Sequence, residues 1–484
     1  MEYLTYEQFV AVGDGVTSDF DAIIACHNEA NKTGTPVRAR DGAEYYIDGR
    51  DLTAVIKTDV DFGTAKFIID DRCVERICSY VFSIESDYPV FDISVDELNR
   101  ETRSLPALGD GRYYVRVFDD EKKIFIRKGL NRNDGTAMTD CFVLEADGTI
   151  FPSVDWNYKK ITRAYAKKID DKPITVRGGI FVTIANEEAS FYRYYQRGFN
   201  ICRSNVTLCG FEHYVRNEGE HGAPYHGFVK VTEAVNVLIS DAKITARYIY
   251  WTASKVPGKP VPMGSYDLSF YASIGITCKN VIQTTDIKDK RYWGIYTSNF
   301  CKELTLIGCV FSRFDAHQGV TNVIIKDCTL GHQSIQLIGH GDFLIENSVI
   351  DNDGGSFLNL RGDYGSIWDG KITVRGCIWR TKCQNLSVIS AYNQNDHDYG
   401  YPCMMGKDIF IEGLTVTDSA DTGGTRKNLS ILGKYDNGAT PEVNTHPYIP
   451  PISLTVKGIT VAGDAGFTIT EYPEKYKNLK VRIY

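Results

Sequence analysis

The sequence contains no run of 18 apolar residues, so it predicts no transmembrane helix and no membrane partner. Its 13 cysteines include no Cys-x-x-Cys pair, which argues against a zinc ribbon or a zinc finger. The sequence also lacks a phosphate-binding glycine loop, a dinucleotide-binding glycine fingerprint, a Gly-x-Ser-x-Gly elbow and a His-Glu-x-x-His motif. Nothing therefore points to a nucleotide-dependent enzyme, a serine hydrolase or a zinc peptidase.

Positive charge is scarce as well. There are 54 Lys and Arg residues against 62 Asp and Glu residues, a formal net charge of −8, so we expect no nucleic-acid partner. The first ten residues carry Glu2 and Glu7 and lack a basic start followed by an apolar core. We therefore predict no signal peptide and a cytoplasmic location for the chain as given, whereas removal of an earlier leader would mean secretion. Cysteines in apolar contexts, such as Cys209 and Cys309, predict free thiols in a reducing compartment.

Against only 15 prolines, the chain has 43 glycines and 30 tyrosines, and many segments are rich in Thr, Val and Ile. This composition is typical of β-rich proteins. A short pattern also recurs, in which a polar residue is followed by alternating aliphatic residues. Its clear copies begin at Asn205, Asn236, Asn280, Glu303, Asn322 and Asp342, and weaker copies begin at Gly370, Asp408 and Ser453.

The last three clear copies begin only 19 and 20 residues apart. That length fits one turn of a parallel β-helix, and the longer intervals fit the same turn with an inserted loop. Propeller blades need about 40 residues for four strands, and leucine-rich repeats need a fixed Leu/Asn pattern that is absent. We therefore predict an all-β fold, a single-stranded right-handed parallel β-helix. Cys309, Cys328, Ser348 and Cys377 share one position in the repeat, which predicts an inward ladder of small side chains.

The N-terminal segment predicts a helix that caps the solenoid. Phe20, Ile23 and His27 follow helical spacing, Ser18 precedes them as a candidate capping-box residue, and Gly34 follows as a stop signal. The segment Ala11-Val12-Gly13-Asp14-Gly15-Val16-Thr17-Ser18-Asp19-Phe20-Asp21-Ala22-Ile23, followed by Gly34-Thr35-Pro36-Val37 and Tyr45-Tyr46-Ile47, resembles the N-terminal segment of the pectate-lyase-like superfamily. That group contains polysaccharide lyases, glycoside hydrolases and phage tailspike depolymerases. The resemblance implies the parallel β-helix fold and a structural cap, and it transfers no catalytic residue.

The repeat is interrupted between about residues 79 and 172. There the run Asp119-Asp120-Glu121-Lys122 separates two apolar, aromatic-rich stretches and predicts a hairpin turn. We interpret this region as a small inserted β subdomain. The predicted organisation is thus an N-terminal cap with the first coils over 1–78, the inserted subdomain over 79–172, and the main β-helix over 173–484.

Alternate residues of a β-strand face opposite sides, so polar residues between inward aliphatic ones should form an outer stripe. Asp315 lies between Phe314 and Ala316, and we predict that it projects from the outer face with its neighbours. Counting from each repeat start places His317 against Gln336 in the next turn. The same count places Arg313 against His332. The predicted catalytic residues are Asp315, Asp363 and His317, and the predicted substrate-binding residues are Arg313, Gln336, His332, Asn359, Arg361, Asp267, Tyr292, Trp293 and His226.

For such a groove we predict a glycoside hydrolase with two Asp carboxylates, and two alternative functions stay open. A glycoside hydrolase would use Asp315 as base and Asp363 as acid, separated by about 10 Å if they lie two turns apart. Asp267 and Asp353 are alternative partners of Asp315. A polysaccharide lyase would use basic residues such as Arg313, Arg361 and His317 on a uronic acid. The third function is non-catalytic carbohydrate binding by a tailspike-like β-helix. The expected partner is an oligo- or polysaccharide, bound by a monomer or by a homo-oligomer such as a trimer.

We predict no cofactor and no metal in the catalytic site. Asp351-Asn352-Asp353-Gly354-Gly355 carries oxygen ligands that would suit Ca²⁺. It lacks the full spacing of a calcium loop, and an ordinary Asx/Gly corner is the alternative interpretation.

Overall fold

The computed structural model describes residues 2–129, 132–190, 193–219, 222–253, 258–391, 397–419, 427–435, 448–464 and 466–484. Strands dominate these ranges. Within them, no helix is both long enough and apolar enough to cross a membrane.

The main body of the described chain is one 32-stranded sheet that winds into a solenoid. Each strand pairs in parallel with the strand one turn before and one turn after it, as Val206 does with Val237, and Val237 with Ile276. The predicted parallel β-helix is confirmed. Its strands before the insertion are Asp14–Ser18, Val37–Arg38, Glu44–Ile47, Ala54–Ile56, Val60–Asp61, Lys66–Asp70 and Phe82–Ile84. Those after it are Ile174–Arg177, Ile180–Ile184, Phe199–Ile201, Val206–Cys209, Glu212–Arg216, His226–Thr232, Val235–Ile244, Tyr266–Tyr271, Ile274–Gln283, Ser298–Ile307, Val310–Lys326, Thr329–Leu337, Gly339–Glu346, Val349–Asp351, Ser356–Leu360, Trp368–Arg375, Ile378–Thr381, Asn385–Ala391, Asp408–Glu412, Thr415–Asp418, Asn428–Tyr435, Ser453–Lys457, Thr460–Val461, Phe467–Thr470 and Lys480–Ile483.

In five of the six clear sequence repeats, the polar residue that opens the repeat has a positive φ and forms a corner of the solenoid. Asn205, Asn236, Asn280 and Asn322 have φ values of 58°, 59°, 52° and 58°, in the left-handed region that asparagine tolerates better than most residues. The corner amides also stack, because Nδ2 of Asn236 donates to Oδ1 of Asn205 at 2.6 Å. The alternating aliphatic residues that follow each corner are buried in the interior.

The interior is filled by ladders of like side chains. In the first turns, Phe67 stacks on Phe181 with ring centroids 5.1 Å apart, and Phe82 stacks on Phe199 at 4.9 Å. Further along, Cys309, Cys328, Ser348 and Cys377 are all buried, which confirms that they face inward.

This ladder yields a prediction about thiol reactivity. In the native protein, Cys309, Cys328 and Cys377 will react with N-ethylmaleimide far more slowly than the exposed Cys73 and Cys78, because the reagent cannot enter the core. Burial also raises the pKa of Cys377 to about 11, which keeps it as the unreactive thiol. Peptide mass spectrometry after timed labelling measures all five sites at once. Equal labelling of the two groups would contradict the prediction.

The predicted capping helix is present at Phe20–Thr33, and Gly34 ends it with φ 72°. Its N-cap is Asp19 rather than a Ser18 capping box, so that detail of the prediction is wrong. The Ser18 hydroxyl donates to Asp48 Oδ2 instead, and the Asp19 carboxylate accepts the backbone N–H groups of Val12 and Gly13. Because these acceptors tie the helix start to the preceding loop, the helix is fixed against the first turns.

The predicted insertion is a five-stranded antiparallel sheet built from Val90–Asp92, Tyr113–Ile124, Thr136–Leu144, Ile150–Phe151 and Arg163–Lys168. The predicted turn at 119–122 is wrong, because Tyr113–Ile124 is one continuous strand. Asp119 accepts the N–H groups of Glu121 and Lys122 and forms a bulge there, so the chain does not reverse. The chain reverses only after Ile124, which pairs with Thr136, and Arg127, Arg132 and Asn133 between them line the candidate site. The boundaries of the three predicted segments stay a prediction.

Smaller elements decorate the solenoid. Antiparallel pairs are formed by Arg247–Tyr248 with Tyr292–Gly294 and by Tyr250–Ala253 with Pro260–Met263. Cys403–Met404 and Tyr448–Ile449 pair in parallel. Short 3₁₀ helices lie at Tyr6–Phe9, Gly362–Tyr364, Ala462–Asp464 and Pro473–Tyr476.

Candidate functional site

A cleft of about 290 Å³ lies on the outer face of the solenoid. Arg127, Arg132 and Asn133, which follow the strand Tyr113–Ile124 of the inserted sheet, line one wall. The hairpin of Tyr250–Ala253 and Pro260–Met263 contributes to the other. The charged, imidazole and aromatic side chains that line this cleft include Arg127, Arg361, His317, Tyr266, Trp293 and Tyr364. The described residues that line this cleft include no aspartate and no glutamate.

Asp315 lies beneath the cleft instead of inside it. Its exposed fraction is 0%, so the predicted solvent-facing position is wrong. Its carboxylate contacts the Arg313 guanidinium and accepts from Arg361 Nη1 at 2.5 Å. The Tyr266 hydroxyl donates to it at 3.4 Å. Strand parity correctly turns Asp315 away from the core, but other side chains cover it, and parity cannot foresee that cover.

Asp363 belongs to the same buried cluster. Arg361 donates to both of its oxygens, from Nε at 3.1 Å and from Nη2 at 2.9 Å, and Arg127 Nη2 lies 2.7 Å from Oδ2. Burial opposes ionisation, yet Arg361 and Arg127 hold the pKa of Asp363 far below its usual range. We call Arg313, Asp315, Arg361, Asp363 and Arg127 the arginine–carboxylate network.

One guanidinium, that of Arg361, touches both carboxylates of the network. Asp315 and Asp363 are therefore closer than the roughly 10 Å expected from coil spacing. The network contains three arginines and two carboxylates, so its formal charge is positive. Since the whole chain carries −8, the cleft floor is a local positive site in an acidic protein.

His317 lines the cleft beside this network. Its Nδ1 lies 3.2 Å from the Asn299 amide oxygen, which can only accept, so Nδ1 carries the proton and Nε2 is left as a base. Burial, followed by the charges of Arg361 and Arg127, lowers the pKa of His317 well below its usual value. His317 is therefore neutral at pH 7. The edge of its ring meets the face of Tyr364 with centroids 5.5 Å apart.

Two aromatic residues link the floor to the hairpin wall. Trp293 Nε1 donates to the Tyr266 hydroxyl at 2.9 Å, and the Arg313 guanidinium lies 4.9 Å from the Trp293 ring centroid. The hairpin approaches so closely at Gly264 that an added Cβ would come within 2.3 Å of the Trp293 ring. A glycine is thus required there, and Trp293 lies in the cleft as predicted for a binding residue.

The predicted stacking of the polar stripe is wrong by two residues. Arg313 pairs with Ser334 rather than His332, and Asp315, not His317, pairs with Gln336. The shift arises at 331–333, which leave the ladder so that His332 N–H bonds to the Ile287 carbonyl in a neighbouring loop. Ser334, with φ 52°, then returns the chain to the sheet.

Several other predicted binding residues lie outside the cleft. Gln336 and Asn359 occupy the two turns that follow the turn of Asp315, and they pair with each other. His332 Nε2 lies 2.9 Å from the Tyr292 carbonyl, and the Tyr292 ring stacks on Tyr248. The ring of His226, which also lies outside the cleft, packs against Tyr194, and burial lowers the pKa of His226 to about 4. Their predicted contacts with substrate stay predictions.

Asp267 is fully buried, so it is not the outward acid that the sequence suggested. It accepts from His213 Nδ1 at 2.9 Å and from the Thr245 N–H at 2.8 Å, and Arg247 Nε lies 3.4 Å away. His213 Nε2 in turn lies 2.9 Å from the Thr183 hydroxyl. This Thr–His–Asp chain resembles a nucleophile relay in connectivity, but all three side chains are sealed from solvent, so it stabilises the interior.

The predicted calcium segment is already engaged in protein contacts. Asp351 forms an ion pair with Lys288 at 2.8 Å, and the Asn352 amide oxygen accepts from Trp379 Nε1 at 2.9 Å. In the ranges that the structure describes, no cluster of three or more His, Cys, Asp or Glu residues is placed to hold a metal ion. The calcium hypothesis has no further support here and stays a prediction.

Sequence reasoning missed Arg127, Tyr266 and Tyr364. Arg127 was missed because the turn was predicted at 119–122, whereas the strand continues to Ile124 and the chain reverses only after it. Tyr364 follows Asp363 in a 3₁₀ turn, where strand parity does not apply. For Tyr266 and Tyr364 the available signal was adjacency to the predicted residues Asp267 and Asp363, and Arg127 had no such signal.

No family model matches the chain, and no curated protein matches it. Among solved structures, the tailspike gp61 of Pseudomonas phage phi297 aligns over 100% of this chain and 84% of its own, with a TM-score of 0.61 and 13% identity. The tailspike gp54 of Acinetobacter baumannii bacteriophage AP22, in complex with A. baumannii capsular saccharide, aligns over 99% and 79%, with a TM-score of 0.48 and 11% identity. An endo-xylogalacturonan hydrolase from Aspergillus tubingensis aligns over 100% and 95%, with a TM-score of 0.36 and 10% identity.

The chain is a parallel β-helix. This is the fold that the N-terminal resemblance implies, and the phi297 tailspike aligns with it over the whole chain. At 13% identity, the likeness to the phi297 tailspike shows the fold and nothing about the reaction. The chemistry of the cleft is therefore the basis for any proposal about the function.

Proposed function

We propose that the protein binds an acidic polysaccharide in this cleft and cleaves it by β-elimination. The observation that carries the proposal is a cleft lined by arginines and aromatic residues, with no carboxylate among its described lining residues. Arginine presents a planar fork of donors that matches a carboxylate, and aromatic rings offer apolar faces to sugar rings. Such a lining favours a uronic acid over a neutral sugar.

The elimination can be written with the residues of the cleft. Arg127 and Arg361 bind the uronate carboxylate and stabilise the charge that develops next to it. Nε2 of His317, kept neutral by burial and by the surrounding arginines, removes the proton on the carbon bearing that carboxylate. The electron pair forms a carbon–carbon double bond as the adjacent glycosidic C–O bond breaks, and the Tyr266 hydroxyl returns a proton to the departing oxygen.

Glycoside hydrolysis, the other predicted reaction, has a weaker basis in this cleft. It needs one carboxyl group that can donate a proton and a second that acts as base or nucleophile. Asp363 cannot serve as the acid, because Arg361 and Arg127 keep it ionised. Asp315 is covered and is bound by two guanidinium groups.

The test is a panel of polygalacturonate, alginate and hyaluronate, read by the ultraviolet absorbance of an unsaturated product. Replacing Arg127 with alanine should lower kcat/KM on the cleaved polymer by about 10- to 100-fold, since one charge-assisted hydrogen bond is worth about 1.5–3 kcal/mol. Its fold should persist, because Arg361 still binds Asp363 through two hydrogen bonds.

The matched control is Arg112→Ala. Arg112 belongs to the same inserted sheet, but it pairs with Glu145 away from the cleft, so its loss should leave kcat/KM unchanged. Products without a double bond would show hydrolysis and sink the elimination. Binding of a polymer without any cleavage would reduce the function to recognition.

A further inference from the structure

Trp251 is an exposed aromatic residue on the hairpin wall of the cleft. Its exposed fraction is 62%, whereas Trp368 and Trp379 are fully buried. Leaving so much of an indole in water forgoes the apolar burial that usually stabilises this side chain. The position therefore calls for an explanation in terms of a ligand or of local packing.

Local packing does not explain it, because the hairpin is anchored by its other face. Tyr250 and Met263 are opposite each other and both buried, as are Thr252 and Val261 in the next pair. The Tyr250 hydroxyl also donates to Glu218 Oε1 at 2.8 Å. The inward face thus fixes the hairpin without any contribution from Trp251, which alternation places on the outward face.

The outward face of the hairpin is continuous with the cleft. Trp251 is directly opposite Pro262, and directly opposite residues of an antiparallel pair project to the same side, with Cβ atoms about 4.5–5.5 Å apart. Pro262 is one of the residues that line the cleft. Trp251 therefore extends the hairpin wall from Pro262, at the edge of the cleft, to the neighbouring strand Tyr250–Ala253.

The two walls then differ in chemistry. The wall from the inserted sheet carries Arg127 and Arg132, and the hairpin wall carries Pro262 and, one strand further out, Trp251. An acidic sugar has a matching polarity, with a carboxylate on one edge and an apolar face of C–H groups. A protein partner would instead be expected to meet a broader apolar surface than a single ring flanked by a charged wall.

From this continuity we infer that Trp251 forms a second sugar-binding subsite, which stacks on a ring of the same acidic polysaccharide outside the cleft. The inference rests on the proposed function for its ligand class and concerns binding, not cleavage. A long chain would occupy both the arginine floor and the Trp251 ring, whereas a disaccharide would reach only the floor. Trp251 thereby makes the affinity of the protein depend on the length of the polysaccharide.

The experiment compares wild type with Trp251→Ala and Trp251→Tyr by affinity electrophoresis in gels containing polygalacturonate, alginate or hyaluronate. Because buried aromatic anchors commonly carry more than a kcal/mol of binding energy, Trp251→Ala should bind the recognised polymer about tenfold more weakly. Trp251→Tyr, which keeps an aromatic face, should remain within about threefold of wild type. The disaccharide of the same polymer should bind wild type and Trp251→Ala equally well.

Tyr484→Ala is the matched control, since it removes another exposed aromatic ring, just after the final strand, and should leave affinity unchanged. Quenching of tryptophan fluorescence by acrylamide gives a second readout. Polymer should protect wild type from the quencher. Trp251→Tyr should lose the part of this protection that Trp251 provides and keep the part that Trp293 provides in the cleft.

Wild-type affinity in Trp251→Ala, or an equal loss for disaccharide and polymer, would overturn the subsite. A change in molar mass by light scattering in Trp251→Ala would also overturn it and assign the ring to contacts between copies of the chain. If a polymer binds without being cleaved, the proposed elimination fails, and the subsite is still judged by these affinities. If none of the three polymers binds wild type, both proposals are wrong.

Discussion

Replacing Asp315 with asparagine will destabilise the fold by about 3–5 kcal/mol, because it removes the charge that compensates two buried arginines. Asp315 and Arg313 are almost fully buried, and Arg361 reaches the same carboxylate. Burial lowers the pKa of Arg313 to about 10, so its surroundings disfavour the charged form. Urea denaturation with a two-state fit, or the shift in Tm, measures the effect.

The matched control is Asp342→Asn, an exposed aspartate in a neighbouring turn, which should change the free energy of unfolding by less than about 0.5 kcal/mol. If Asp315→Asn keeps the wild-type Tm and only loses activity, Asp315 would be an accessible catalytic group after all. That result would restore the two-carboxylate hydrolase and contradict the burial seen here.

The fold could be predicted from the sequence because its signal is local and repeated. Each turn needs a corner residue that tolerates positive φ, such as Asn236 or Asn322, followed by alternating aliphatic residues. Those two requirements recur along the chain, so the fold can still be predicted when one copy of the pattern is misinterpreted. Cys309 and Cys328 could be placed in the core for the same reason.

The site could be predicted only in part, because it depends on where the insertions fold back. Parity turned Asp315 to the outside correctly, yet nothing in its own strand reveals that Tyr266 and Arg361 lie over it. Register failed where 331–333 leave the ladder for a neighbouring loop. Arg127 was missed because a charged run that suggests a turn instead forms a bulge within a long strand.

Replacing His317 with alanine will lower kcat on the cleaved polymer by about 10²–10⁴, the usual contribution of a general base. The variant should keep its fold, since its one hydrogen bond joins it to Asn299 at the edge of the cleft. His332→Ala is the matched control. His332 lies in the next turn and contacts the Tyr292 carbonyl, outside the cleft, so its loss should change kcat by less than about twofold.

The pH dependence separates a base from a merely structural histidine. Burial together with the charges of Arg361 and Arg127 lowers the pKa of His317, so the base form persists below its usual value of about 6.5. The acid limb of the kcat/KM profile should therefore lie well below pH 6.5, with activity constant from there towards neutrality. Arg127→Ala removes one of the charges that depress this pKa, so the limb should move upward, towards pH 6.5, in the activity that remains. If the acid limb does not move in Arg127→Ala, or if His317→Ala retains near-full kcat, another residue removes the proton from the substrate.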